Sequence, residues 1–188
     1  MMKRCTSPFF GSISLTHGVD PEHSWPSLFA SELQAKLPQL DIATTIVDVE
    51  REVSTNVIQG DYLVEVIESR PSVLFIEPFL LNDNGNVRIE DSLANLTTII
   101  EQVKEALPEV ELVILPANPL YEANFYFDQN KELANYAEEK DFYYLNHWGA
   151  WPATDNEELN NYLDNGRPNK EGHELWAKYV AEDILYDN

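Results

Sequence analysis

The run Ser72-Val73-Leu74-Phe75-Ile76 constrains the fold of this 188-residue chain more than any other stretch. Four consecutive apolar residues leave no polar alternation for a solvent-facing side. Such a strand has to be covered on both faces, as strands of a parallel sheet are. Residues 8–10, 40–49, 110–115 and 142–145 supply four further strands, apolar and rich in β-branched or aromatic residues. Between them the apolar residues change to helical spacing. Ser24 caps a helix carrying Leu28, Phe29, Leu33 and Leu37 that stops at Pro38, and residues 56–69 carry Ile58, Tyr62, Leu63, Val66 and Ile67 up to Pro71, with Gly60 inside the pattern. Asp91 or Ser92 caps the next, with Leu93, Leu96, Ile99, Ile100, Val103 and Leu107 on one face before Pro108. Residues 128–140 and 169–185 form the last two long helices, with a short one at 157–163.

Strands therefore alternate with helices from end to end. With right-handed crossovers this predicts an α/β fold: a single domain over residues 1–188, built as a three-layer α/β/α sandwich on a five-stranded, mostly parallel sheet in the flavodoxin-like order 2-1-3-4-5. In open sheets of this kind, chemistry sits at the carboxyl ends of the strands. The turn after the first strand, Gly11-Ser12-Ile13-Ser14-Leu15-Thr16-His17-Gly18, is dense with small and hydroxyl residues at that place. Ser14 is the stronger nucleophile candidate there, Ser12 shaping the turn. Residues 146–156 form the longest irregular segment, long enough to be functional.

Ser14-Leu15-Thr16-His17-Gly18 resembles the first block of the SGNH (GDSL-type) hydrolases, serine esterases whose nucleophile opens a Ser-x-Thr-x-Gly run after strand one. The family has Gly-Asp before that serine, where this chain has Ser12-Ile13. Asn82-Asp83 resembles the third block, Gly-x-Asn-Asp, with Leu80 standing for the glycine. Residues 164–173 resemble the last block, Asp-x-x-His-Pro-Asn-x-x-Gly-His: Asp164, Pro168, Asn169, Gly172 and His173 fall in register, and Arg167 occupies the position of the catalytic histidine. The second block, a glycine after strand two, has no clear counterpart. A backbone N–H of Val53 or Ser54 is offered in its place, and Gly60 lies too far into the helix.

The resemblance implies that Ser14 attacks an ester carbonyl, that its own N–H and the Asn82 amide form the oxyanion hole, and that Asp164 orients a histidine base. Arginine cannot take a proton at neutral pH. Three accounts of Arg167 follow. His173 serves as base, His147 fills the place, or the site binds a ligand without hydrolysing it. The function implied is a serine esterase acting on small acyl esters, with carbohydrate O-acetyl groups suggested by Trp148 and Trp151 near the expected mouth. The rival is a catalytically impaired carbohydrate-binding or interaction module on the same scaffold, and an acyltransferase using the same serine is a third reading.

The formal charge of −21, from 33 acidic and 12 basic residues, disfavours nucleic acid and anionic membrane surfaces as partners and leaves small molecules or carbohydrate esters. The phosphate-loop patterns do not occur, no histidine pair has zinc-ligand spacing, and Asp83-Asn84-Asn86 lacks the full acidic loop of a calcium site, so no cofactor or metal is expected. Cys5, the only cysteine, excludes an internal disulfide and reads as core filler in strand one. No apolar run is long enough for a signal peptide or a membrane span, so the chain reads as cytoplasmic. Its oligomeric state is left open.

Overall fold

A computed structural model describes residues 3–186, and the side chains of residues 6–185. The expected role of the Cys5 side chain lies outside the described residues. The first half of the chain runs β1 (Lys3–Thr6), β2 (Phe9–Gly11), α1 (Trp25–Lys36), β3 (Leu40–Ala43), β4 (Ile46–Asp48), α2 (Ser54–Val57), α3 (Tyr62–Glu68), β5 (Val73–Ile76) and α4 (Leu80–Asp83). The second runs α5 (Ile89–Ala106), β6 (Glu111–Ile114), α6 (Asn124–Glu139), β7 (Tyr143–Tyr144), β8 (Leu163–Asp164), β9 (Arg167–Pro168) and α7 (Lys170–Tyr186). The main sheet has the order β4-β2-β5-β6-β7 and every pairing in it is parallel, which is the expected order 2-1-3-4-5.

Both of the first two strands are broken. β1 pairs with β3 as a separate two-stranded ribbon, and the breaks fall side by side at Ser7-Pro8 and Thr44-Thr45. Pro8 has no N–H for the ladder. The chain crosses the gap with Ser7 N–H on Ala43 O at 3.0 Å and Phe9 N–H on Thr45 O at 2.8 Å.

Alternation along each strand sorts the core into two halves. Phe10, Leu74, Ile76, Leu112 and Ile114 face α2, α3, α5 and α6, while Phe9, Phe75, Val113 and Leu115 face α1 and α7. α5 buries Leu96, Ile99, Ile100 and Val103, a spacing of three and four that keeps one face on the sheet. α1 buries Trp25, Phe29 and Leu33 at intervals of four. Trp25 stacks on Trp176 of α7 at 4.5 Å between ring centroids, binding the two helices of that layer together.

The single helix expected over residues 56–69 is two. α2 ends at Val57 and α3 starts at Tyr62, with Gly60 in the break. A β-carbon at Gly60 would sit 2.7 Å from the Tyr62 ring, so the glycine admits that ring at the junction. α6 begins at Asn124, four residues earlier than its sequence pattern suggests, and α5 begins at Ile89 because Ser92 turns inward to Asp83 instead of capping. Among the described residues, no helix is long and apolar enough to cross a membrane.

Candidate active site

Gly11, the last residue of β2, packs against Glu77, one residue past β5. A β-carbon on Gly11 would lie 2.7 Å from that of Glu77. The chain then enters a short 3-10 turn, Ile13–Leu15. Ser12 caps it, its Oγ accepting the Ser14 N–H at 3.3 Å, while its own N–H donates to Glu77 Oε2 at 2.8 Å. Ser14 is completely buried and its Oγ has no hydrogen-bond partner. The Ser14 N–H, expected in an oxyanion hole, is spent on the cap.

Phe79 takes a left-handed backbone (φ 51°), which swings the chain from β5 into the one-turn helix α4 and delivers Asn82 to the same sheet edge. Its amide Nδ2 donates to Glu50 O at 3.1 Å and Glu52 O at 2.9 Å. Both amide hydrogens are thus committed to the loop after β4, and Asn82 is a loop anchor where an oxyanion donor was expected. The Ser54 N–H is committed as well, to Asp83 Oδ1 at 2.8 Å. Asp83 is fully buried with its other oxygen accepting from Ser92 Oγ.

The two candidate bases are structural. His173 Nδ1 accepts the Trp25 N–H at 3.1 Å, so Nε2 carries the proton and donates to His17 O at 2.9 Å. It joins α7 to the start of α1. Burial pushes its pKa down to about 4. His147 Nδ1 accepts from Trp151 Nε1 at 2.9 Å and Nε2 donates to Pro116 O at 2.8 Å. Its ring stacks on Trp176 at 4.1 Å, and burial lowers its pKa to about 3. Asp164 is mostly exposed and faces His17 at 3.6 Å, not His173. The expected meeting of Ser14, His173 and Asp164 therefore does not form: both ring nitrogens of His173 were taken by backbone groups of α1 and the first turn.

At the histidine position of the last block stands Arg167, on the β8–β9 hairpin and only 9% exposed. Its Nη2 donates to Asn82 Oδ1 at 3.1 Å and its Nη1 to Gly166 O at 3.3 Å, while Nε has no partner. Burial pushes the guanidinium below its ordinary pKa range and Arg51 adds to this, whereas Glu77 pulls it back up. Glu77 itself is raised by burial, with Ser12 and Arg167 opposing that rise. Sequence reasoning missed Glu77. The available signal was an acidic residue placed immediately after an apolar run that has to be buried, where an unpaired charge is costly. Asn118 and Tyr126, also buried at this edge, gave no such signal.

The parallel sheet thus carries at one edge a serine turn after β2, an asparagine after β5 and a hairpin before the last helix. The chain matches the model of the GDSL-like lipase/acylhydrolase family over residues 9–175 and belongs to that family. No curated protein sequence gives a match. Among solved structures, a G-D-S-L family protein from Desulfitobacterium hafniense DCB-2 superposes with a TM-score of 0.74 at 17% identity, covering 94% of this chain and 98% of that one. An acetyl-xylooligosaccharide esterase from Geobacillus gives 0.73 at 15% identity, covering 99% and 97%. The psychrotrophic esterase EstA from Pseudoalteromonas gives 0.70 at 19% identity, covering 95% and 96%.

Proposed function

We propose that this chain is a non-hydrolytic, ligand-binding member of the acylhydrolase family, with its ligand held at the carboxyl edge of the sheet. One observation carries the reading. The base position holds Arg167, tied to Asn82, and the two fully buried histidines, His147 and His173, each have their only acceptor nitrogen filled, while His17 turns its Nε2 toward Asp164 at 3.6 Å. An imidazole so engaged has no lone pair to take a serine proton. The test is hydrolysis of p-nitrophenyl acetate by the wild type and by Ser14→Ala. Equal rates are expected, and a loss of roughly a hundredfold or more on removing the hydroxyl would overturn the reading.

A second reading, a serine esterase acting on small acyl esters such as carbohydrate O-acetyl groups, is favoured by the unpartnered Ser14 Oγ. The likeness to an esterase of acetyl-xylooligosaccharides agrees with it. In that reading the histidine of the last block is replaced, and the Ser14 N–H and the Asn82 amide must leave their present partners to hold the oxyanion. Arg167→His, which restores an imidazole to the last block, would then produce ester hydrolysis that Ser14→Ala abolishes. On the first reading the exchange adds nothing, because Ser14 remains enclosed and its N–H remains on Ser12.

A further inference from the structure

The amino edge of the sheet, opposite the serine turn, holds a cavity of about 400 Å³. Its floor is made by the first residues of three neighbouring strands. Val73 and Phe75 of β5, Glu111 and Val113 of β6 and Tyr143 of β7 share one face, by strand alternation and by the registers Val73↔Glu111, Phe75↔Val113 and Val113↔Tyr143. Its roof belongs to the α1–α7 layer. Phe29, Leu33 and Leu37 recur at intervals of four along α1 and into its C-terminal cap, and the last turn of α7 adds Ile184 and Leu185 beside Asp183. Ser7, at the break between the ribbon and the main sheet, closes one side together with Leu40 and Ile42 of β3.

Protein interiors are packed as densely as organic crystals, and voids much larger than a water molecule are few. A hollow of this volume, apolar with a few convergent polar groups, has the size and lining of a small-molecule site. The charged groups around it are of one kind. Glu111 is exposed at the mouth, and Asp183 is fixed there by the Tyr143 hydroxyl, which donates to its Oδ2 across the gap between β7 and α7. Among the described residues no lysine or arginine lines the cavity, and neither carboxylate closes an ion pair. Lys104 reaches the Val110 carbonyl from α5, on the opposite face of the sheet.

We propose that this cavity is a second ligand site and that it takes a small apolar amine. The hydrocarbon part enters between α1, α7 and the sheet, and the ammonium stays at the mouth against Glu111 and Asp183. Removing the hydrocarbon from water supplies the affinity, and the two carboxylates select the head group. A fatty acid would set a third carboxylate against these two, inside the field of a chain of net charge −21. A neutral alcohol would fill the hollow and leave both acids without a counter-charge. A second copy of the chain would bring a further −21 to an already acidic mouth. The site lies at the other edge of the sheet from Ser14, so the proposal stands or falls independently of whether that serine hydrolyses esters.

The experiment is calorimetric titration of the intact protein with octylammonium chloride, and with octanol and octanoate as probes of the same chain length. Saturable binding of one octylammonium is expected, with octanol about tenfold weaker and octanoate weaker still, and the amine affinity should fall as sodium chloride is added. The double variant Glu111→Gln/Asp183→Asn keeps both side-chain shapes and leaves Tyr143 an acceptor. It should lose roughly tenfold toward the amine and nothing toward octanol. Leu37→Trp, a half-buried position in the wall, should block both probes. Each variant is first checked for native circular dichroism, and the comparison of the three probes on the wild type decides the head-group preference without either variant. The proposal is overturned by the absence of saturable amine binding up to about 2 mM, by equal affinities for the three probes, or by amine affinity unchanged in the double variant. Binding that survives Leu37→Trp would place the amine elsewhere and overturn it as well. So would self-association in sedimentation that Leu37→Trp abolishes, because the cavity would then belong to a second copy.

Discussion

At the scale of single residues, the histidines show how a motif position and a chemical role separate. His173 falls in register with the last block of the hydrolase pattern, and the structure uses it to hold the Trp25 N–H and the His17 carbonyl. Such use has a measurable consequence. Both His173 and His147 are fully buried, with folded-state pKa values lowered to about 4 and about 3, against 6.5 when solvated. The unfolded chain therefore binds protons that the folded chain refuses. Their contribution to stability is complete above pH 6.5, is lost as pH falls from there toward 4 and then 3, and changes no further below. The size is on the order of 3 kcal/mol for His173 and 5 kcal/mol for His147 if the whole shift is realised. The urea midpoint of the wild type should fall between pH 7 and pH 4.5. The stability gap between wild type and His147→Gln should shrink over the same interval, because the variant has no imidazole to charge. A gap that stays constant with pH would show that His147 titrates normally in the folded protein.

At the scale of elements, most of the architecture was legible because it depends on burial pattern. Val73–Ile76 had to be an inner strand, and the helical stripe from Leu96 to Val103 had to face a sheet. What was not legible depends on atoms that meet across the chain. The break at Gly60 follows from the Tyr62 ring, and the anchoring of Asn82 follows from two carbonyls of a loop thirty residues earlier in sequence. The same was true of the site: Ser14, Asn82 and the tail motif stand out in the sequence, but only the structure shows that the Ser14 N–H, the Asn82 amide and the His173 ring are engaged while the Ser14 Oγ is not. Gly172 gives the element-scale prediction. It lies in the first turn of α7, where a β-carbon would run into the Tyr162 carbonyl oxygen and come within 3.2 Å of Pro168 and Trp151. Backbone is on one side and a packed indole on the other, so neither can give way cheaply. Gly172→Ala should cost about 1–3 kcal/mol or more and lower the thermal midpoint. Gly149→Ala is the control, since nothing lies within 4 Å of its β-carbon position, and it should be neutral or slightly stabilising.

At the scale of the whole molecule, the charge dominates. The chain carries 33 acidic residues against 12 basic ones, and its ion pairs among the described residues do little to offset them. Three of the four join neighbours three or four positions apart on exposed surface, where such pairs are worth at most about 0.5 kcal/mol. Arg167 is inside the fold and closes no ion pair among the described residues. Folding thus compresses a large excess of negative charge into a small volume, and the unfolded chain relieves it by expanding. Added salt should then stabilise the folded state, since the screening length falls from about 30 Å at 10 mM to about 3 Å at 1 M. The thermal midpoint should rise steadily with sodium chloride over that range, with most of the gain before about 0.3 M, once the screening length is shorter than the spacing between surface carboxylates. Sodium chloride is the right salt for the measurement because sulfate also strengthens apolar burial and would confuse the two effects. A midpoint that does not move, or that falls, would mean that the acidic groups are already compensated in the fold.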